Sequence, residues 1–162
     1  MRSIGSAVSV LVVAGLMHPA VALAGTKTFK ATNYHHNVTF QGFEVGDVEG
    51  HMVGVYENKG VTVFEDGREV ELIIRGTLDQ VKGLGPVDGY QVNSFADGSV
   101  LTMEYHGEAK MTSEGRVVTG TYDSCRGTGQ FEGAKCNGTW TGGQFGKTLQ
   151  RFELEVTYTV PD

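Results

Sequence analysis

An all-β fold, a single antiparallel barrel of eight strands with nine as the outer count, follows from three features of the sequence. Runs of roughly 6 to 12 residues rich in Val, Thr, Ile, Tyr and Phe recur along the chain, a composition that suits a pleated surface. Between them stand turn-forming pairs: Gly46-Asp47, Asp66-Gly67, Asp88-Gly89, Asp97-Gly98, Glu114-Gly115, Asn137-Gly138 and Gly142-Gly143. No window carries the 3.6-residue apolar repeat of a helix. Short links favour antiparallel neighbours, and a sheet of this many strands curls until closure removes its exposed edges. A two-sheet sandwich is the competing architecture.

The first 24 residues are set apart. Arg2 supplies a short basic start, Ala7 to Leu16 an apolar run, and Ala22-Leu23-Ala24 a small-residue cleavage site, the pattern of a secretory signal peptide cut after Ala24. The run falls short of the roughly 20 residues of a membrane helix. Residues 25–162 then form one domain, secreted or periplasmic, with no linker, internal repeat or low-complexity tract.

Strands are expected at 26–33, 37–44, 50–57, 59–65, 69–79, 89–95, 99–110, 116–124 and 148–160, with a further short one at 135–141. The clearest alternate strictly. Leu101, Met103 and Tyr105 oppose Thr102, Glu104 and His106, and Phe152, Leu154, Val156, Tyr158 and Val160 oppose Arg151, Glu153, Glu155, Thr157 and Thr159. Gly83-Leu84-Gly85-Pro86 reads as a loop at one barrel mouth. Cys125 and Cys136, the two cysteines of an exported chain, are expected to form a disulfide that staples the turn between them.

Charge narrows the partners. The chain has 13 Lys and Arg against 19 Asp and Glu, and losing Arg2 with the leader moves the formal charge from −6 to −7. An acidic surface repels phosphate, which argues against nucleic acid and anionic membranes. Self-association into an oligomer is left open.

Few residues suggest chemistry. In Tyr34-His35-His36 the adjacent imidazoles point to opposite faces of a strand, and no zinc spacing links them to His51 or His106, so solvated or hydrogen-bonded histidines and no metal are expected. Glu104, His106 and Glu108 share what reads as the wet outer face, since unpaired buried charge is costly. Gly127-Thr128-Gly129 lacks the Lys-Ser/Thr of a phosphate loop, Gly-x-Ser-x-Gly is absent, and no haem-attachment motif occurs, so no cofactor is expected. Asn37-Val38-Thr39 and Asn137-Gly138-Thr139 are glycan acceptors only in a host that glycosylates.

From Arg126 to Cys136 the chain reads Arg-Gly-Thr-Gly-Gln-Phe-Glu-Gly-Ala-Lys-Cys. This resembles the Gly-Gly-Ser/Thr-Gly-x-Phe-Glu-Gly-x-x-Gly turn of allene oxide cyclases, of which the related dirigent proteins carry a looser version. Arg126 stands in place of the first glycine and Cys136 in place of the last. The resemblance implies an allene oxide cyclase-like, eight-stranded antiparallel barrel with its ligand site in the lumen. Asn58, in Asn58-Lys59, matches a cavity-lining asparagine of the cyclases. Their first-strand glutamate has no counterpart in Thr32-Asn33-Tyr34-His35-His36-Asn37.

The functional expectation is a barrel that binds a small apolar molecule in its lumen, touched by Tyr56, Asn58, His51 and Tyr105. The alternatives are a cyclase or isomerase working in the same cavity, and a non-catalytic structural or surface-interaction protein with a filled barrel.

Overall fold

A computed structural model describes residues 25–161. The expected leader at 1–24 lies outside the described residues. Eight strands follow in order: β1 (Gly25–Glu44), β2 (His51–Phe64), β3 (Glu69–Val81), β4 (Gly85–Ser94), β5 (Val100–Thr112), β6 (Gly115–Gly127), β7 (Lys135–Phe145) and β8 (Leu149–Val160). Each pairs antiparallel with its sequence neighbours, and β8 returns to β1 along Gly25↔Val160 to His35↔Gln150. The result is a closed up-and-down barrel.

Two expected breaks disappear. The segments at 26–33 and 37–44 are one strand, as are those at 50–57 and 59–65. In β1 the chain bulges between Asn37 and Thr39, so Val38 has no partner on β2 and the inward phase changes from odd to even residues. That switch erases the alternation a sequence reader looks for. In β2 the chain runs on through Asn58, and at Gly60 a Cβ would collide with the backbone of Tyr34 and His35, so glycine lets the two strands approach. With both joins made and the segment at 135–141 counted, the strands number eight. The short segment at 135–141 is a full strand, β7, extending to Phe145. Asp88-Gly89, Asn137-Gly138 and Gly142-Gly143 likewise lie within strands rather than at turns. The Gly83–Pro86 segment does carry the β3–β4 turn, which ends where β4 begins at Gly85.

The lumen is built in tiers. At the end where β1 begins, five aromatic rings form a closed circle: Phe29–Phe64 (5.2 Å between centroids), Phe64–Phe95 (6.0 Å), Phe95–Phe131 (4.8 Å), Phe131–Tyr158 (5.6 Å) and Tyr158–Phe29 (6.1 Å). Phe131 is the plug supplied by the turn motif, on a single 3₁₀ turn at Gly129–Phe131. The motif docks on the β4–β5 turn: the Gln130 backbone N–H donates to Ser99 Oγ (3.1 Å), and Gln130 Nε2 donates to Asp97 Oδ2 (3.0 Å). The disulfide Cys125–Cys136 ties the end of β6 to the start of β7, with Cα atoms 5.5 Å apart.

Above the plug lies a ring of buried polar side chains. Asn33 Nδ2 donates to Gln91 Oε1 (2.8 Å), Gln91 Nε2 to Asn93 Oδ1 (2.8 Å), Asn93 Nδ2 to Thr62 Oγ1 (2.6 Å), and the Thr62 hydroxyl back to Asn33 Oδ1 (2.7 Å). Every member both gives and accepts, so the cycle polarises in one direction and satisfies groups that burial would otherwise penalise. Tyr122 adds a fifth contact by donating to Gln91 Oε1 (2.6 Å). This ring joins β1, β2 and β4 across the lumen and floors the space above it.

Candidate functional site

Above the polar ring the barrel encloses a cavity of about 180 Å³, open at the end where β6 begins and β1 turns into β2. Asn33, Gln91 and Tyr122 face it from below, and Phe40, Arg116 and Gln150 stand at its mouth.

Its wall is an arc of linked rings. The His35 imidazole stacks on Phe152 (5.4 Å between centroids, 8° between planes). Phe152 meets Trp140 edge-on at 5.5 Å, and Trp140 meets Tyr105 edge-on at 5.7 Å. The Tyr105 and Tyr56 hydroxyls then share a 2.6 Å hydrogen bond. Such edge and offset contacts are the favoured geometries of aromatic pairs.

The bulky rings fit because the wall beside them is bare. Gly107 and Gly120 face each other across β5 and β6, and a Cβ on either would strike the indole of Trp140. Gly76 and Gly89 face each other across β3 and β4, and there a Cβ would strike the Tyr105 hydroxyl. Two glycine pairs therefore recess the wall where the largest side chains lie.

The cavity is uncharged within. Burial raises the Tyr105 hydroxyl far above the ordinary phenol range, reinforced by neighbouring Tyr56, and burial likewise raises Tyr56 and Tyr122. His35 is 2 % exposed, and desolvation, aided by neighbouring His36, lowers its pKa to about 4. The imidazole is therefore neutral at pH 7. Its Nδ1 is the only buried side-chain nitrogen or oxygen among the described residues without a hydrogen-bond partner.

Three of the four residues expected at a luminal site, Tyr56, Asn58 and Tyr105, line this cavity. His51 does not join them. It stands on the outer face at the start of β2, its two ring nitrogens donating to Asp47 Oδ1 (2.6 Å) and Asp79 Oδ1 (2.7 Å). A carboxylate only accepts, so both contacts together require the charged imidazolium. The two aspartates, Asp79 foremost, raise the His51 pKa accordingly. Asn58 accepts from Asn37 Nδ2 (3.0 Å), which cross-links the cavity ends of β2 and β1.

His35 is the cavity residue that sequence reasoning missed. Only His36 is solvated, while His35 is buried and unpartnered at Nδ1. The signal was the inward phase of Phe29, Ala31 and Asn33, which continues to His35, although two polar members hide it from any apolar-alternation test. Glu104, His106 and Glu108 occupy the outer face as expected, with His106 Nδ1 2.7 Å from Asp88 Oδ1. Among the described residues no group of three or more His, Cys, Asp or Glu could hold a metal ion, and no helix is long and apolar enough to cross a membrane.

No family model matches the chain, and no curated protein matches it in sequence. Solved structures do match in shape. A pterocarpan synthase dirigent protein superposes with a TM-score of 0.50 at 14% identity, covering 84% of this chain and 97% of that one. A conserved protein of unknown function from Rhodopseudomonas palustris gives 0.50 at 11% identity over 85% of this chain and 98% of its own. A second pterocarpan synthase dirigent protein gives 0.49 at 14% identity over 85% and 88%. The likeness to allene oxide cyclases rests on the turn motif alone. At these identities the shared property is architecture, and the chain is a dirigent-like eight-stranded barrel.

Proposed function

We propose that this protein is an exported barrel that holds a small, largely apolar molecule in its lumen. The observation that carries the reading is the cavity of about 180 Å³, walled by aromatic rings and floored by a satisfied polar ring. Its size is comparable to the roughly 150 Å³ apolar cavity that accepts benzene. Contact with Tyr105, Trp140 and Phe152 supplies affinity, and Tyr56 and Asn58 orient the guest. An open cavity of this size weighs against the filled-barrel alternative.

Export accounts for the leader-like residues 1–24 ahead of a single domain at 25–162. The disulfide fits an oxidising compartment, secreted or periplasmic. Native mass spectrometry of protein purified from its own host tests the reading. A bound mass that is lost on denaturation, and absent when Trp140 and Phe152 are both made alanine, is the expected result. An empty lumen that also fails to take up any small aromatic probe would overturn it.

One observation favours a second reading, a cyclase or isomerase acting in the same cavity: a buried, unpaired histidine on a cavity wall is the kind of group catalysis uses. On that reading the walls fold a reactive guest and do little proton transfer themselves, with His35 the one group placed to move a proton. Release of a co-purified compound chemically unchanged after prolonged incubation would count against it.

A further inference from the structure

We propose that His35 is the anchor of the luminal site, and that its ligand is an uncharged ring compound whose hydroxyl or carbonyl oxygen completes the hydrogen bonding of the imidazole. The proposal rests on the luminal-binding reading and adds to it the polar contact and the class of molecule.

A buried polar atom without a partner is costly, and proteins keep few of them. Every other buried side-chain nitrogen and oxygen among the described residues is satisfied, including all four members of the ring immediately below. That atom has no free surface of its own, but its ring lines the cavity, and there the other ring nitrogen, Nε2, makes no hydrogen bond among the described residues. Its ring is also held in orientation, stacked nearly flat on Phe152. A fixed imidazole whose Nε2 is open to the lumen is a recognition element waiting for an oxygen.

The surroundings set the guest's charge. Arg116 is the one ionised side chain among the described lining residues; it stands at the mouth, exposed, with its Nε donating to the Gly83 carbonyl (2.8 Å). Nothing inside the cavity neutralises a carboxylate or an ammonium, and an unpaired ion there would carry the full desolvation penalty. The neutral state of His35 at pH 7 agrees with this, since it offers one donor and one acceptor but no charge. The ring character of the guest follows from Phe152, Trp140 and Tyr105, whose faces and edges line one side.

Three probes of one shape separate the possibilities: toluene, benzyl alcohol and benzoate, titrated at pH 7 and followed by the fluorescence of Trp140, the chain's single tryptophan. Benzyl alcohol should bind about tenfold tighter than toluene, the worth of one added hydrogen bond, and benzoate weakest. His35→Phe should abolish the preference while toluene still binds, and His35→Gln, which keeps a donor and an acceptor, should restore part of it. The native protein gives a second readout that needs no variant: benzyl alcohol should shift the His35 Nε2 resonance in nitrogen NMR, and toluene should not. Equal affinities for the alcohol and the hydrocarbon, a preference that survives His35→Phe, an unmoved Nε2 resonance, or benzoate binding best would each overturn the anchor. Silence of Trp140 toward all three probes marks a different failure, that of luminal binding itself.

Discussion

His35 ties the site to the stability of the fold. Its imidazole titrates at about 4 in the barrel against the ordinary 6.5. Well above pH 7 both folded and unfolded chains hold it neutral, so it contributes no pH dependence there. As pH falls below 6.5 the unfolded chain takes up a proton that the folded chain refuses, and stability is lost until pH reaches about 4. The loss over that window is about 3 kcal/mol. Urea melts at pH 7 and pH 4 should show it in the native protein, and His35→Phe should remove that share of the acid sensitivity. An equal acid loss in the variant would mean that His35 is charged or solvated in the fold. His51 works with the opposite sign: its raised pKa gives stability that is present below pH 6.5 and lost as pH rises through the folded value. Half-buried at the surface between two exposed carboxylates, it moves the total little.

Among the elements, the turn from Thr128 to Ala134 does more than connect β6 to β7. It inserts Phe131 into the five-ring circle and hangs from Asp97 and Ser99 on the neighbouring turn. The Cys125–Cys136 bridge closes this segment at its base. By loop entropy a bridge spanning 11 positions contributes about 3 kcal/mol. Reduction should therefore lower the melting temperature by about 10 °C while the barrel stays folded at room temperature. Calorimetry with and without reductant measures this, and an unchanged midpoint would mean that the bridge carries no load. The plug, the bridge and strands β5 and β8 were all legible in the sequence, because each follows a local rule: a pair of cysteines, a glycine-rich turn, an unbroken two-residue alternation. β1 and β2 were not legible as single strands. A bulge at Val38 and a backbone approach at Gly60 both depend on the partner strand, which no local pattern reports. The polar ring was hidden for a similar reason: Asn33, Thr62, Gln91 and Asn93 look like solvent-facing residues until closure brings them together.

At the scale of the molecule, the barrel is unequal along its axis. One end is filled by aromatic rings and tied by the disulfide, and the other carries the loose tip of β1 and β2. There Val38, Phe40, Phe43, Val45, Val48 and Val55 are exposed, and β1 beyond His35 has no partner on β8. Opening should follow that gradient, since low-stability segments are those with few buried apolar contacts. In hydrogen exchange the amides of residues 38–50 should exchange far sooner than those of Leu101, Met103 and Val156. Uniform protection along the axis would contradict it. The sheet closes on itself and Phe131 fills one end, so the cavity opens through the mouth at the other. On the luminal-binding reading, whichever end of a long guest enters first leads to His35, and the other end trails past Arg116 into water. A chain, a sugar or a label attached at that trailing end should cost little affinity, while the same addition at the leading end should exclude the guest altogether.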